Sequence, residues 1–203
     1  MQIPIPFKDG VPDFDNQSRI AHLLGKVEGL IAQRKQHLQQ LDDLLKSVFL
    51  EMFGDPSMNP KNLPVVPLGE IVDFVGGGTP SRAVPAYFTG EICWATSKDM
   101  KGELLRDTQE HITPKAIKAS ATKLVSPGAI LVVVKSKVLM HHLPVLIAKV
   151  PVCFGQDLKA IIPKNGWPTR YLARHLRLGQ HWLLEQARGI NTEGLTLDHL
   201  KRF

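Results

Sequence analysis

Two histidines stand side by side at His141 and His142, and two cysteines lie far apart at Cys93 and Cys153. These side chains are the obvious candidates for holding a metal ion, but their spacing argues against it. Adjacent side chains on an extended segment point to opposite faces, so one ion cannot readily take both histidines. Neither cysteine has a Cys-x-x-Cys neighbour, as a zinc site of the usual kind would require. No metal and no other cofactor is expected. The run Gly76-Gly77-Gly78 invites comparison with a phosphate-binding loop, which ends in Gly-Lys-Ser/Thr and opens directly into a helix. Here Thr79-Pro80-Ser81-Arg82 follows, with Pro85 close behind. A conformationally demanding turn is the better reading. No Gly-x-Ser-x-Gly nucleophile motif is present. Asp157 beside Lys159 is a weak echo of a nuclease pairing, without an upstream acidic partner. Catalysis is not expected within this chain.

The elements that would position such residues begin with one long helix. Ile20, Leu24, Val27, Ile31, Arg34, Leu38, Leu41, Leu45, Val48 and Met52 alternate at spacings of four and three, and only Arg34 is polar. A strict heptad seam specifies a supercoil with a second helix. No comparable run follows, so the seam reads as an assembly device. Asp15 or Asn16 is expected to cap the helix, accepting from its first free amides. Gly25 and Gly29 weaken it and permit close approach of another backbone. Gly54-Asp55-Pro56 ends it. At 1.5 Å per residue it is about 55 Å long.

A linker from Ser57 to Pro64 follows, and the pattern then changes to short apolar runs broken by Gly and Pro. Val65–Phe74, Ile92–Ala95, Ala129–Val134, Pro144–Val152 and Leu158–Ile162 are strand candidates. Ala116–Ala121 reads as a short helix and Pro168–Ala187 as a long one. Thr196 or Asp198 opens another. The expected fold is α+β: a coiled-coil-type helix in residues 1–56, then a mixed domain of short strands and peripheral helices in 64–203.

The formal net charge of +6 is uneven. Residues 1–63 carry seven Lys/Arg against eight Asp/Glu, whereas 64–203 carry 18 against 11. Between 115 and 177, Asp157 is the only acid among eleven basic residues. A one-signed stretch of this kind attracts polyanions, nucleic acid first among them, unless it is merely a solvated face. The histidine pair then reads either as a loop tip that touches DNA or as an exposed polar loop. No apolar stretch approaches the roughly 20 residues of a membrane span. No secretory signal is visible, and two cysteines are too few for a disulfide framework. A cytoplasmic location is the expectation.

Several segments, taken in order, resemble one family. Arg19–Leu24, Ala32–Leu45 and Phe49–Pro56 resemble the conserved helical region of DNA-specificity subunits of type I restriction-modification systems. Pro67–Ile71, Gly77–Ser81, Tyr87–Trp94, Ile112–Ile117, Ser126–Val132, Gln156–Pro163, Tyr171-Leu172 and Gly189–Thr196 resemble one of their target recognition domains. Ile3-Pro4-Ile5-Pro6 is similar to the proline-rich segment that leads into a conserved helix. The resemblance covers about residues 17–203.

The resemblance implies a protein without catalytic activity. In that family two recognition domains each read half of a split DNA site, and two helices pair antiparallel as a ruler between them. The subunit directs methyltransferase and restriction subunits to the site. This chain has one recognition domain and one helix, so it looks like a half subunit or a fragment that would form a homodimer through the seam. The alternative is a nuclease or methyltransferase fragment with unrecognised catalytic residues; a third reading is a coiled-coil interaction protein. On the first reading, DNA contacts are expected from loops flanking the strands: Thr79, Ser81 and Arg82; Thr96, Ser97 and Lys98; Lys135, Ser136, Lys137, His141 and His142. Arg82 is the best candidate for a forked contact to guanine. Trp94, Trp167 and Trp182 are expected in the core rather than stacked on bases.

Overall fold

A computed structural model describes residues 6–8, 10–56, 58–189 and 192–203. Ile3, Pro4 and Ile5 of the proline-rich segment lie outside these residues. The chain divides into two compact units, Met1–Met52 and Phe53–Phe203.

In the first unit, Phe7–Lys8 (β1) pairs antiparallel with Val11–Pro12 (β2). The long helix α1 spans Phe14–Phe53. Its cap is neither Asp15 nor Asn16. The Asp13 carboxylate accepts from the Asn16 amide at 3.0 Å, earlier in the chain than expected. Asp15 and Asn16 already lie within the first turn, because the helix begins at Phe14. Every apolar seam position from Ile20 to Met52 is solvent-exposed, between 42% and 63%. Arg34 is exposed with them. A built Cβ at Gly25 or Gly29 meets nothing within 4 Å.

The second unit holds two sheets. A helical turn, α2 (Leu68–Ile71), leads into β3 (Val72–Gly76). The run expected as one strand from Val65 is therefore a turn and a strand, with Pro67 at the cap position of the turn. Next come β4 (Ile92–Ala95), β5 (Leu104–Leu105) and β6 (Glu110–Ile112), then the short helix α3 (Pro114–Lys118). β7 (Ile130–Val133) and β8 (Val145–Ala148) follow, and then β9 (Val152–Phe154) and β10 (Leu158–Pro163). The strand expected over Pro144–Val152 is thus broken at 149–151, where Pro151 cannot donate to a ladder. Its halves enter different sheets.

The larger sheet has the order β3-β10-β7-β8-β5, and the smaller β6-β4-β9. β7 is buried throughout, as its unbroken apolar sequence requires. Full burial of each such side chain contributes roughly 1.5–3 kcal/mol. Helix α4 (Thr169–Leu178) packs on β8 and buries Leu172, Ala173 and Leu176. The helix expected to continue to Ala187 breaks at Gly179, and α5 (Gln180–Ala187) resumes beyond it. Gly179 caps the end of α4, its amide donating to His175 O at 2.9 Å, and the Phe203 ring lies 2.3 Å from where a Cβ on residue 179 would stand, so only glycine fits there. The chain then forms β11 (Arg188–Gly189), β12 (Thr192–Glu193) and α6 (Leu197–Arg202). The Thr196 hydroxyl accepts from the His199 amide at 3.2 Å, and the His199 ring accepts from the Thr196 amide at 3.4 Å. Trp94 is buried, while Trp167 and Trp182 are partly buried against the main core.

Candidate nucleic-acid interface

Strand register gathers the loops. Gly76 at the end of β3 stands opposite Lys159, and Val133 at the end of β7 opposite Leu158. Ala95 at the end of β4 pairs with Phe154 at the end of β9. The turn between β9 and β10 ties the two sheets together there. Gly155 N donates to Ala95 O at 2.9 Å, and Val134 N to Asp157 O at 2.8 Å. The C-terminal ends of β3, β4, β7 and β9 therefore meet at one end of the unit. Three connections leave from it, 77–91, 96–103 and 134–144, and they carry all eleven residues singled out for DNA contact.

The triple glycine sits at this end for a different reason from the one expected. None of Gly76, Gly77 and Gly78 has a positive φ. A Cβ on Gly77 would instead stand 2.1 Å from the Gly155 carbonyl oxygen, and one on Gly78 2.4 Å from the Thr122 nitrogen. The Gly78 carbonyl also accepts from the Trp94 indole at 3.1 Å. Close backbone approach, not turn conformation, selects glycine at 77 and 78.

Arg82 is the best-organised cation of the group. Both terminal nitrogens bond the Glu110 carboxylate, one of them at 2.7 Å. Its guanidinium lies 4.2 Å from the Phe88 ring centre and 5.2 Å from that of Trp94. The two rings meet edge to face at 5.8 Å. The fork is held on an aromatic platform by cation–π attraction and by a bidentate pair. Hydrogen bonding to Arg82, helped by the nearby charges of Arg82 and Lys98, holds the Glu110 carboxyl below its usual range. The same hydrogen bond raises Arg82. Glu110 was not legible as part of this site, because it lies 28 residues from Arg82 and only the β4–β6 pairing brings them together.

The other residues divide into structural and exposed. The Thr96 hydroxyl donates to the Asp99 carboxylate at 2.9 Å, and its backbone amide does so at 2.8 Å. Ser136 caps the 3-10 turn Lys137–Met140, accepting from Val138 N at 3.4 Å. These two hydroxyls shape their loops. Thr79, Ser81, Lys98, Lys135, Lys137, His141 and His142 are exposed, and Ser97 is half-buried. The amides of His141 and His142 both donate to Val138 O, which ends the 3-10 turn.

The basic stretch is less free than its sequence suggests. Glu103, which lies outside it, takes Arg177 at 2.6 Å and Arg174 at 3.2 Å. Arg177 also donates to Val145 O. Lys164 pairs with Asp73 at 3.5 Å. An apolar cavity of about 180 Å³, lined by Phe53, Val66, Leu68, Tyr171 and Phe203 among others, lies toward the opposite end of the larger sheet. Both cysteines are buried and free. Cys93, Asp107 and His111 nevertheless converge, with ligand atoms within 4.8 Å of one another. The sequence held no Cys-x-x-Cys signal for this group, because the ligands come from two strands and a loop.

The chain thus combines a long helix with, next in sequence, a two-sheet domain whose loops gather at one end and carry an aromatic-backed arginine. A family model described as "Type I restriction modification DNA specificity domain" matches residues 60–203. The chain belongs to that family. It is 31% identical over 212 residues to the Escherichia coli "Type I restriction enzyme EcoR124I/EcoR124II specificity subunit", covering 100% of this chain and 50% of the relative. A "Type I restriction enzyme MjaIX specificity subunit" from Methanocaldococcus jannaschii is 32% identical over 116 residues, 56% of this chain and 26% of that protein. The chain thus spans at most about half the length of these relatives. Its fold matches the HsdS subunit of Thermoanaerobacter tengcongensis with a TM-score of 0.55 at 18% identity, covering 95% of this chain and 46% of that one. The S subunit of M. genitalium matches at 0.57 and 13% identity, with 90% and 47% covered.

Proposed function

We propose that this chain reads one half of a split DNA site on behalf of a type I restriction-modification complex, and is not itself catalytic. Membership of the specificity-domain family over residues 60–203 carries the reading. On it, residues 64–203 form a target recognition domain and residues 1–56 a spacer. Exposed Lys98, Lys135 and Lys137 supply phosphate contacts, which position the domain without reading sequence. Were the Arg82–Glu110 pair to open against DNA, the two would suit a guanine–cytosine pair, since the freed fork can donate to guanine O6 and N7 and the freed carboxylate can accept from cytosine N4. Each good pairing of this kind discriminates by about 1–3 kcal/mol.

The exposed seam of α1 would pair antiparallel with the helix of a second copy, so that a homodimer reads two inverted half sites at a spacing set by helix length. Methyltransferase and restriction subunits would dock on that assembly. The matched families and structures give no support to a nuclease or methyltransferase reading of the chain itself. Selection from a randomised duplex library by the chain with its methyltransferase subunit tests the proposal. An inverted-repeat motif with a fixed gap is the expected product. Recovery of duplexes without a shared motif would overturn it, as would nicking of DNA by the purified chain alone with a divalent ion.

A further inference from the structure

We infer that Cys93, Asp107 and His111 form a site for a borderline-soft divalent cation, zinc above all, independently of how the protein meets DNA. The fold places the ligands before any ion arrives. Cys93 on β4 and His111 on β6 are direct partners across an antiparallel pair, so their side chains leave the same face of the sheet. Asp107 lies in the loop before β6, with its Oδ1 2.8 Å from His111 Nε2 and 3.6 Å from Cys93 Sγ. Metal bonds of about 2.0–2.3 Å put two tetrahedral ligands about 3.3–3.6 Å apart. The Asp107–Cys93 separation already has that spacing, the Asp107–His111 separation is shorter, and all three ligand atoms lie within 4.8 Å of one another, so side-chain shifts on the order of an ångström would complete the site.

The surroundings hold the ligands in place. Buried Thr108 accepts from Trp94 N at 3.0 Å and donates to Glu110 O at 2.7 Å. That clamp fixes the loop carrying Asp107 against β4. Without a cation, one carboxylate oxygen serves three donors: Thr108 N at 2.9 Å, His111 and Cys93. A carboxylate oxygen has two lone pairs, so this sharing is poor. A cation relieves it by taking sulfur and nitrogen directly, with the thiol proton released to solvent, and leaves Oδ1 to the metal and Thr108. Thiolate, imidazole and carboxylate together suit zinc better than magnesium or calcium. The Asp107 side chain is 75% exposed, so ions reach the site from solvent and a fourth coordination position faces water.

Cobalt titration of the full chain tests the site, because a cobalt–thiolate bond gives an intense charge-transfer band. One equivalent is expected to bind with that band, and zinc is expected to displace it. Cys93→Ser should abolish the band and His111→Ala should lose it at equal cobalt concentration. Cys153→Ser should retain it, since Cys153 belongs to no such cluster among the described residues. If Cys93→Ser does not fold, the exposed-side pair Asp107→Asn and His111→Ala carries the test. Absence of stoichiometric cobalt binding, or a band that survives His111→Ala and Asp107→Asn, would overturn the assignment.

Discussion

Arg82 is tied to Glu110 at one face and to two aromatic rings at another, so its geometry is set before a ligand arrives. The pair is pH-sensitive in one direction. Glu110 has a folded pKa below its ordinary value near 4.3. Its contribution is therefore complete above that ordinary value and is lost as pH falls through the lower folded one. The melting temperature of Glu110→Gln should fall slightly below that of the parent near neutral pH, and the gap should close in acid. Because the pair is largely exposed, the gap should reflect well under about 1 kcal/mol. Two glycines give a sharper contrast. Gly77→Ala should cost about 1–3 kcal/mol or more, because the new methyl meets backbone. Gly25→Ala, in open helix, should gain up to about 1 kcal/mol. Urea midpoints read both. At this scale the loop residues were legible as types: Arg82 by its fork and the lysines by their charge. Glu110, Cys93, Asp107 and His111 were not, since cross-strand register decides which of them meet. Thr96 and Ser136 were legible as hydroxyls, but their hydrogen bonds serve their own loops.

Among the elements, α1 was the most legible, because a heptad repeat over ten positions specifies a long helix with an apolar seam and is compatible with little else. Its cap was missed by a short distance: Asp13, Asp15 and Asn16 are all competent, and only the backbone path selects Asp13. Strands with unbroken apolar runs, such as β7, were readable as buried. The breaks at 149–151 and Gly179 were not: the first depends on which sheet each half joins, and the second falls at a glycine against which the Phe203 ring packs. The seam carries two expectations. Leu38→Asp should abolish self-association in sedimentation, because it puts a charge at an apolar contact position. Arg34→Leu should tighten it, by completing the apolar stripe at some cost in register. A parent chain that stays monomeric at high micromolar concentration would assign the seam to another protein.

For the molecule as a whole, charge counted along the sequence overstated what is available to a polyanion. Glu103 and Asp73 engage three of the eleven basic residues between 115 and 177. What remains at the loop end is a smaller set, Lys98, Lys135 and Lys137 with Arg82, arranged by strand ends rather than by sequence proximity. Each lysine that meets a phosphate should add about 0.9 to the salt slope of binding, so Lys135→Ala should lower the slope without changing base preference. Arg82→Ala should instead relax preference at one base pair. The central claim is sequence-specific reading, and the most direct measurement compares affinities for a selected duplex and its scrambled counterpart at two salt concentrations, using the chain with its methyltransferase subunit. The account predicts that the selected duplex binds about 10³-fold or more tightly, with both affinities falling as salt rises. Equal affinity for the two duplexes at both salt concentrations would contradict it.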